Sequence, residues 1–428
     1  MISDSKKEIF GWCLYDFANS SYTTLIVTVA YSVYFTEFVA EGYNGDVLWG
    51  RGYALSMILI GIISPVLGAL ADYSGTKKRY LIIFTLCCIV STSLLFFVKK
   101  GDIISGLVLF VTGNIGYNGG ITFYNAFLKD ISDKENMGRI SGYGWAAGYI
   151  GGLLCLAITY PFIKGGFIKE NLFYYRLSFP ITALFFLSFS IITFIFLRER
   201  RVYALISKGC LYWTTGFKRV RETLKERKRF RELFKFFVSY LIYNDGINTI
   251  IVFSAIFARR VLSFTVGEII IYFIVTQITS AIGAYIFGFI TDKTGAKKAI
   301  SITLILWIFI VLSVFFVENK LQFYIIGLTA GICIGSNQSA SRTLLGQFAP
   351  EEKAAEFFGL FSLTGKLAAV IGPLVYGEIV GITNSHRIAV ISIAIFFIIG
   401  MFLLFLVNEE EGIRTAENYS EDSGKGLV

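Results

Sequence analysis

The stretch GALADYSGTKKRY, residues 68–80, returns as GFITDKTGAKKAI at residues 288–300. The two copies share a glycine, an aspartate, a second glycine and two consecutive lysines at identical spacing. These positions are Gly68, Asp72, Gly75, Lys77 and Lys78 in the first copy, and Gly288, Asp292, Gly295, Lys297 and Lys298 in the second. Five matched positions in two distant copies predict a chain built from two similar halves.

Composition places this repeat in a membrane protein. The 428 residues are 55% hydrophobic and only 16% charged, and the mean hydropathy is +0.66. Apolar segments of about 20 residues recur along the chain, which is the length that a helix needs to cross a bilayer. Strands of a membrane barrel would be about half as long and would alternate in polarity. We therefore predict an all-α integral membrane protein with twelve transmembrane helices in two six-helix bundles. The predicted spans are 12–38, 51–70, 80–98, 103–127, 140–163, 175–197, 235–258, 268–290, 299–317, 322–346, 356–380 and 387–407.

The repeat follows the second and the eighth span, and the basic loop 198–234 separates the first six spans from the last six, so we predict four parts. These are an N-terminal six-helix bundle (1–197), a basic cytoplasmic loop with an amphipathic helix over 217–234 (198–234), a C-terminal six-helix bundle (235–407) and a cytoplasmic tail (408–428). Lys and Arg are enriched on the side of both termini, which predicts that both termini are cytoplasmic. This bias accounts for the net charge of +9 without a nucleic-acid partner. The loop helix is expected to lie on anionic lipid, and a regulatory role stays open.

The repeated stretch resembles the loop motif of the major facilitator superfamily. A glycine allows the chain to reverse tightly, and the lysine pair is expected to anchor the turn at the inner headgroups. The resemblance implies that Asp72 contacts the start of span eleven near Glu356. It likewise implies that Asp292 contacts the start of span five near Arg139 and Gly142. Such contacts would close an inner gate that opens when two bundles rock, although a simple turn-and-anchor role remains an alternative.

Charged residues lie well inside four predicted spans, namely Asp16, Asp245, Arg342 and Lys366. A charge in the hydrocarbon region costs at least about 2.5 kcal/mol on insertion scales, so it is expected to face a cavity or a partner. In the superfamily, spans one, four, seven and ten line the central cavity. We predict that Asp16 pairs across this cavity with Arg342 or Lys366, and the forked guanidinium of Arg342 suits a carboxylate better.

The spacing of Asp16 and Asn19 in span one is repeated in span seven, and residues three apart share a helix face. The candidate substrate-binding or coupling residues are Asp16, Asn19, Asn118, Asn125, Asp245, Asn248, Gln338, Arg342 and Lys366. Structural alternatives remain open for the four charged residues and for the asparagines of span four. The two aspartates could be interfacial or act as caps, the two basic side chains could extend to the interface, and the asparagines of span four could simply bond between helices.

Six further stretches narrow the resemblance: YDFANSSYTT, YNAFLKDI, RISGYGWAAGYIGG, NDGINTI, SASRTLLGQFAPEEKAAEFFGLFSLTGK and GPLVYG. Together they resemble the vacuole-effluxer branch of the superfamily, from about Phe10 to Val407. The resemblance implies a secondary active transporter, with amino acids as the first substrate to test. The chain lacks the longer loops and tails of eukaryotic members, which favours a bacterial plasma (inner) membrane.

The functional hypothesis is export or exchange of a small zwitterion by alternating access. Its ammonium would meet Asp16 or Asp245, and its carboxylate would meet Arg342 or Lys366. Either aspartate could couple transport to protons, because burial in a membrane protein raises the proton affinity of a carboxylate. The alternatives are a transporter of another small solute (a sugar, peptide, anionic metabolite or drug) and, more remotely, a sensor or scaffold. No P-loop or catalytic motif stands out, so we expect no enzyme, no cofactor and no metal, and a monomer in the lipid bilayer.

Overall fold

The computed structural model describes residues 2–199 and 212–425, and every regular element in them is helical. The helices of the N-terminal half are α1 (Ile2–Tyr22), α2 (Gly45–Ser74), α3 (Lys77–Leu94), α4 (Ile103–Ala126), α5 (Met137–Ile163) and α6 (Leu172–Phe196). A loop helix, α7 (Tyr212–Lys225), follows. The C-terminal half contains α8 (Arg231–Val261), α9 (Val266–Thr294), α10 (Ala296–Phe315), α11 (Lys320–Phe348), α12 (Ala354–Leu367), α13 (Ile371–Thr383) and α14 (His386–Phe405). The last helix is α15 (Glu409–Lys425).

Nine of the described helices or helix pairs are long and apolar enough to cross a membrane by length and composition. The predicted spans outside this set are one, four and ten, which contain α1, α4 and α11. These are the spans in which the sequence concentrates Asp16, the asparagines of span four and Arg342. Their lower apolar content follows from their position around the central cavity described below.

Span one starts earlier than predicted and changes its winding. Its helix begins at Ile2 rather than at residue 12, and beyond Tyr22 it continues as two π-helical segments, Thr23–Val29 and Tyr34–Val39. A π-helix has a wider turn than an α-helix and is frequent at functional sites. The first of these segments begins one turn after Asn19, and its Thr23, Thr24 and Thr28 line the cavity described below.

Span eleven is not the continuous helix that was predicted over 356–380. It consists of α12 and α13, with a turn and bend at residues 368–370 between them. The sequence supplies the cause, because Pro373 has no backbone N–H and its ring collides with the carbonyl group four residues earlier. That carbonyl belongs to Ala369, inside the interruption.

The two halves approach most closely where a glycine faces the other half. A Cβ atom on Gly142 of α5 would lie 2.4 Å from the carbonyl oxygen of Ala284 on α9. A Cβ atom on Gly359 of α12 would lie 2.7 Å from the Cα atom of Pro65 on α2. Only glycine permits such an approach of helix backbones, so these two positions bring the halves together at the end that carries the repeated loops. We call this end the motif end.

The loop helix and the tail both pack against the motif end. The helix predicted over 217–234 is instead α7, which ends at Lys225 because a 3₁₀ turn (Glu226–Lys228) separates it from α8. Its Arg219 lies 4.0 Å above the ring of Tyr73, whereas Phe217 remains 54% exposed, as expected for a lipid-facing side chain. The tail forms α15, whose Gly412 packs on Phe348 at the end of α11. Residues 200–211 of the basic loop lie outside the described residues.

Candidate functional site

A polar cavity of about 240 Å³ lies between the two halves. Spans one, four, five, eight and ten line it, and five of the predicted binding residues are among the lining side chains. These five are Asp16, Asn19, Asn125, Gln338 and Arg342. The cavity extends from the buried pair of Asp16 and Arg342 to the exposed Thr28, twelve residues further along span one. Its closed end therefore points to the motif end and its open end to the opposite face.

The pair predicted between Asp16 and Arg342 is present. Nη1 of Arg342 lies 3.2 Å from Oδ2 of Asp16, and the two residues are only 2% and 6% exposed. The hydroxyl of Tyr124 donates a second hydrogen bond to the same Oδ2 atom at 3.0 Å. The other carboxylate oxygen, Oδ1, has only a long contact of 3.4 Å from the amide of Asn19. Asp16 therefore presents one strongly bonded oxygen to the protein and one weakly bonded oxygen beside the cavity.

Arg342 belongs to the C-terminal half, yet its hydrogen bonds go to the N-terminal half. Besides Asp16, its Nη1 donates to Oδ1 of Asn125 at 3.1 Å. Its Nε donates to the hydroxyl of Ser141 at 2.9 Å, and its Nη2 donates to the carbonyl oxygen of Ser141 at 2.6 Å. The guanidinium also lies between the rings of Trp12 and Trp145, 4.8 and 5.2 Å from their centroids. Such contacts hold a cation in a fixed orientation.

Sequence reasoning missed several residues of this site, including Ser141, Trp145, Tyr149 and Gln277. Tyr149 of span five donates a hydrogen bond to Gln338 of span ten and so joins the two halves above the ion pair. Three of these residues stand in RISGYGWAAGYIGG, a stretch that the sequence did single out. Its glycines recur so often that spacing alone does not indicate which face of the helix meets the cavity.

Four of the predicted binding residues do not line the cavity. Asn118 bonds to its own helix neighbour Asn114, at 2.8 Å from the carbonyl oxygen. The ammonium of Lys366 bonds to Ser362, and its aliphatic part packs near Gly61 of α2. The other two, Asp245 and Asn248, contact the interruption in span eleven instead. Span seven turns this face toward its own half, and the contact of a substrate with Asp245 or Lys366 stays a prediction.

The two repeated aspartates lie where the resemblance placed them. Asp72 accepts the backbone N–H groups of Ala355 (3.1 Å) and Glu356 (2.9 Å) at the start of α12. Asp292 accepts those of Gly138 (2.7 Å) and Arg139 (3.2 Å) at the start of α5. Each carboxylate thus meets the positive end of a helix dipole in the opposite half, which stabilises the contact. Both contacts are made here, so the motif end is closed.

The lysines of the loops differ from their predicted role as headgroup anchors. Lys77 forms an ion pair with Asp130 at 2.6 Å, and its side chain is only 12% exposed. Lys297 donates to the carbonyl oxygens of Phe405 and Val407, which lack helical partners at the end of α14. A carboxylate and the free carbonyl oxygens at a helix end are favourable partners for these cations. The exposed Lys298 alone of these three keeps an outward position.

The remaining loop positions have backbone roles. Gly75 and Gly295 have φ values of 62° and 92°, a region that glycine adopts without strain. The backbone N–H of Lys78 donates to a carboxylate oxygen of Glu199 at 3.0 Å. Burial raises the pKa of the Glu199 carboxyl above its ordinary value. Gly68 lies inside α2, where a Cβ atom would be 2.2 Å from the carbonyl oxygen of Ala355, so it permits the close approach of α12.

Sequence comparisons indicate the family to which the chain belongs. The sequence model of the family described as "Vacuole effluxer Atg22 like" matches residues 52–137 and 129–417. The "Uncharacterized MFS-type transporter YxiO" of Bacillus subtilis (strain 168) is 28% identical over 98% of this chain and 99% of its own length. "Autophagy-related protein 22" of Yarrowia lipolytica (strain CLIB 122 / E 150) is 26% identical over 72% of this chain and 57% of its own length.

Solved structures share the fold. The human organic anion transporter MFSD10 (TETRAN) superposes with a TM-score of 0.75 at 14% identity, covering 94% of this chain and 99% of its own. The proton:xylose symporter XylE gives a TM-score of 0.73 at 14% identity, covering 97% and 99%. At these identities the likeness establishes the fold alone, which is the twelve-helix major facilitator fold. The chain is therefore a multi-pass membrane protein that belongs to the Atg22-like vacuole effluxer family of major facilitator transporters.

Proposed function

We propose that the protein is a secondary active transporter that exports or exchanges amino acids or similar small zwitterions by alternating access. The observation that carries this proposal is the Asp16–Arg342 pair at the closed end of the cavity. It supplies one negative and one positive group within 3.2 Å of each other, in a site that is otherwise lined by neutral side chains. A solute with one ammonium and one carboxylate is complementary to that arrangement.

The ammonium would bind Oδ1 of Asp16, because this oxygen has the weaker protein partner. Arg342 has five N–H donors, and the four bonds described above leave one Nη2–H for a substrate carboxylate. The amides of Gln338 and Asn125 border the same space. A volume of about 240 Å³ is below the roughly 300–1,000 Å³ of pockets for drug-sized ligands, so the cavity suits a small solute.

The hydrogen bonds of Arg342 also favour the exchange of one solute molecule for another over net transport in one direction. The motif end opens only when the halves separate there, which would pull Arg342 away from Asp16, Asn125 and Ser141. In the empty protein this movement would leave two buried charges without partners, at several kcal/mol for each ion. A bound zwitterion compensates both charges, so the loaded protein would cross between states faster than the empty one.

The lysine and arginine bias supports cytoplasmic termini, so the cavity described here would open to the outside of a bacterial plasma membrane. Asp72 and Asp292 would then act as the cytoplasmic gate. We expect the protein to work as a monomer, because the cavity is completed by the two halves of one chain. A neutral polyol is the second candidate substrate, since hydroxyl and amide groups of Thr23, Tyr149 and Gln277 line much of the wall.

Counterflow in proteoliposomes tests the substrate. Purified protein would be loaded with one unlabelled amino acid or sugar and supplied with labelled solute outside. We expect amino-acid counterflow that is lost in D16N and R342Q. The matched control is E41Q, which neutralises an exposed carboxylate that pairs with Lys100 far from the cavity. Amino-acid counterflow at wild-type rates in D16N and R342Q would refute the charged site, and counterflow of sugars alone would favour the second candidate.

A further inference from the structure

The interruption in span eleven is held from both sides by the two polar residues of span seven. Oδ2 of Asp245 accepts the backbone N–H of Gly372, the second residue of α13, at 2.9 Å. The amide of Asn248 donates to the carbonyl oxygen of Ala368, just after α12, at 2.6 Å. In a continuous helix the N–H of Gly372 would donate to the carbonyl oxygen of Ala368, so Asp245 and Asn248, a turn apart on α8, satisfy the two ends of one lost helical hydrogen bond. We call this arrangement the span-eleven clamp.

Among the residues that the structure describes, no cation forms an ion pair with Asp245. The residue is 2% exposed, and within the described part of the chain its Oδ1 atom has no hydrogen-bond partner. The ionisable groups on the neighbouring helices are engaged elsewhere. Lys366 of α12 bonds to Ser362, and Tyr376 of α13 bonds to His386 of α14.

The other two packed faces add no counter-charge. On α11, Ser341 bonds to Tyr243 of α8, while Arg342 is held by the N-terminal half. The α14 residues that face α8 next to Asp245 are Phe396 and Phe397. The charge of Asp245 is therefore met by backbone N–H groups at the start of α13, those of Gly372 and Ile371, and by the positive end of the α13 dipole. An intramembrane carboxylate with so little compensation marks a functional site.

The helix α12 connects this carboxylate to the motif end. Its first residues donate their N–H groups to Asp72 of the opposite half, and the chain just beyond its last residue is held by Asn248. At 14 residues it is about 21 Å long. Movement of α12 therefore has to change either the contact with Asp72 or the clamp, and a change in the clamp alters how firmly α12 is held at the motif end.

We propose that Asp245 is the residue at which a proton couples to transport, by loosening the span-eleven clamp. This inference rests on the proposed transport function. A proton from one aqueous phase binds the free Oδ1 atom and is released to the other phase after the halves have rocked. The neutral carboxyl attracts the start of α13 less than the carboxylate does, so α12 gains freedom and the motif end opens more easily. Asp16 binds the substrate, and Asp245 responds to pH.

Two transport assays on the same proteoliposomes separate these roles. The first is counterflow with equal pH on both sides, and the second is accumulation driven by an imposed pH gradient. We expect D245N to lose gradient-driven accumulation but to keep counterflow within about threefold of wild type, because an amide oxygen still accepts the Gly372 N–H. N248A weakens the clamp without removing the titratable group, so it should remain responsive to the gradient. Undiminished gradient-driven accumulation in D245N, or wild-type accumulation driven by sodium alone, would overturn the proposal.

A measurement without substrate tests the role of Asp245 separately from the choice of substrate. Spin labels at the exposed positions of Arg79 and Lys293, on opposite halves of the motif end, report its opening in a background without the native cysteines. In wild type we expect the population with longer distances to grow as the pH falls, and in D245N to be large at every pH. The proposal would be contradicted if the spin-label distances in wild type did not change with pH, or if they changed with pH in D245N as much as in wild type.

If D245N fails to fold, D245E retains a carboxyl group at a changed depth and must move the pH midpoint of the distance change. An unchanged midpoint would count against Asp245. If amino acids show no counterflow with wild type, the proposed substrate fails, and the spin-label distances still decide the role of Asp245.

Discussion

Neutralising both residues of the buried pair together should destabilise the protein by less than the sum of the two single neutralisations. D16N leaves the guanidinium of Arg342 with Asn125 and Ser141 but without a counter-charge. R342Q leaves the carboxylate of Asp16 with hydrogen bonds from Tyr124 and Asn19 only. Removing one partner of a buried ion pair typically costs about 3–5 kcal/mol, because the remaining charge is buried without compensation.

The double variant D16N/R342Q leaves no charge and places two amides at hydrogen-bonding distance. Its cost should be below the sum of the single costs by about 1.5–3 kcal/mol, within the range that double-mutant cycles report for residues in contact. At 2% and 6% exposure, solvent screens this pair little, so the upper part of that range applies. The same cycle for Glu41 and Lys100, which are more than half exposed, should give less than about 1 kcal/mol.

Equilibrium unfolding in mixed micelles, followed by tryptophan fluorescence, measures the four free energies of each cycle. Trp12 and Trp145 lie against Arg342, so the emission also reports on the site itself. Additive effects of D16N and R342Q, within about 0.5 kcal/mol, would refute the reasoning that these charges compensate each other. Equal coupling free energies for the buried and the exposed pair would refute the claim that burial strengthens the interaction between the two charges.

Three further substitutions follow from the geometry. G359A places a methyl group 2.7 Å from the backbone of α2, so it should shift the spin-label distances at the motif end toward opening, whereas G381A, in open space, should leave them unchanged. D72N removes an anion from the start of α12 and should favour the open motif end by about 1–2 kcal/mol, or roughly five- to thirtyfold in population; an unchanged distance distribution would contradict this. P373A restores a backbone N–H and should lengthen α12 into α13, which would slow counterflow by about tenfold if the interruption is needed for rocking. Wild-type counterflow in P373A would show that it is not needed.

Sequence reasoning located those features that depend on spacing and on charge in lipid. Asp72 and Asp292 could be placed because each stands in a motif whose partner helix follows from the resemblance. Asp16 and Arg342 could be paired because a buried charge requires compensation and only two bases lie deep in the spans. Neither argument requires knowing how a helix is rotated about its axis.

The sequence did not predict how each helix is rotated about its own axis, and so which of its faces meets the cavity. Asp245 and Asn248 have the same spacing as Asp16 and Asn19, yet they face the interior of their own half. Their partners are backbone groups of span eleven, and hydrophobic patterning does not reveal a backbone group that has lost its helical bond. Pro373 was only a partial signal: proline within a predicted span leaves a carbonyl group free one turn before it, yet Pro65, Pro161 and Pro180 stand inside helices that continue past them.

The two halves show why one duplicated pair of residues can acquire two roles. Span five corresponds to span eleven through Gly142 and Gly359, and this register sets Leu156 against Pro373. Leu156 keeps its backbone N–H, and α5 continues unbroken to Ile163, so span five offers no free helix start to a neighbouring carboxylate. Asp16 then requires a cation from the opposite half and becomes part of the cavity. Where proline breaks the helix, a carboxylate can be satisfied within its own half, and it becomes available as a proton-sensitive clamp.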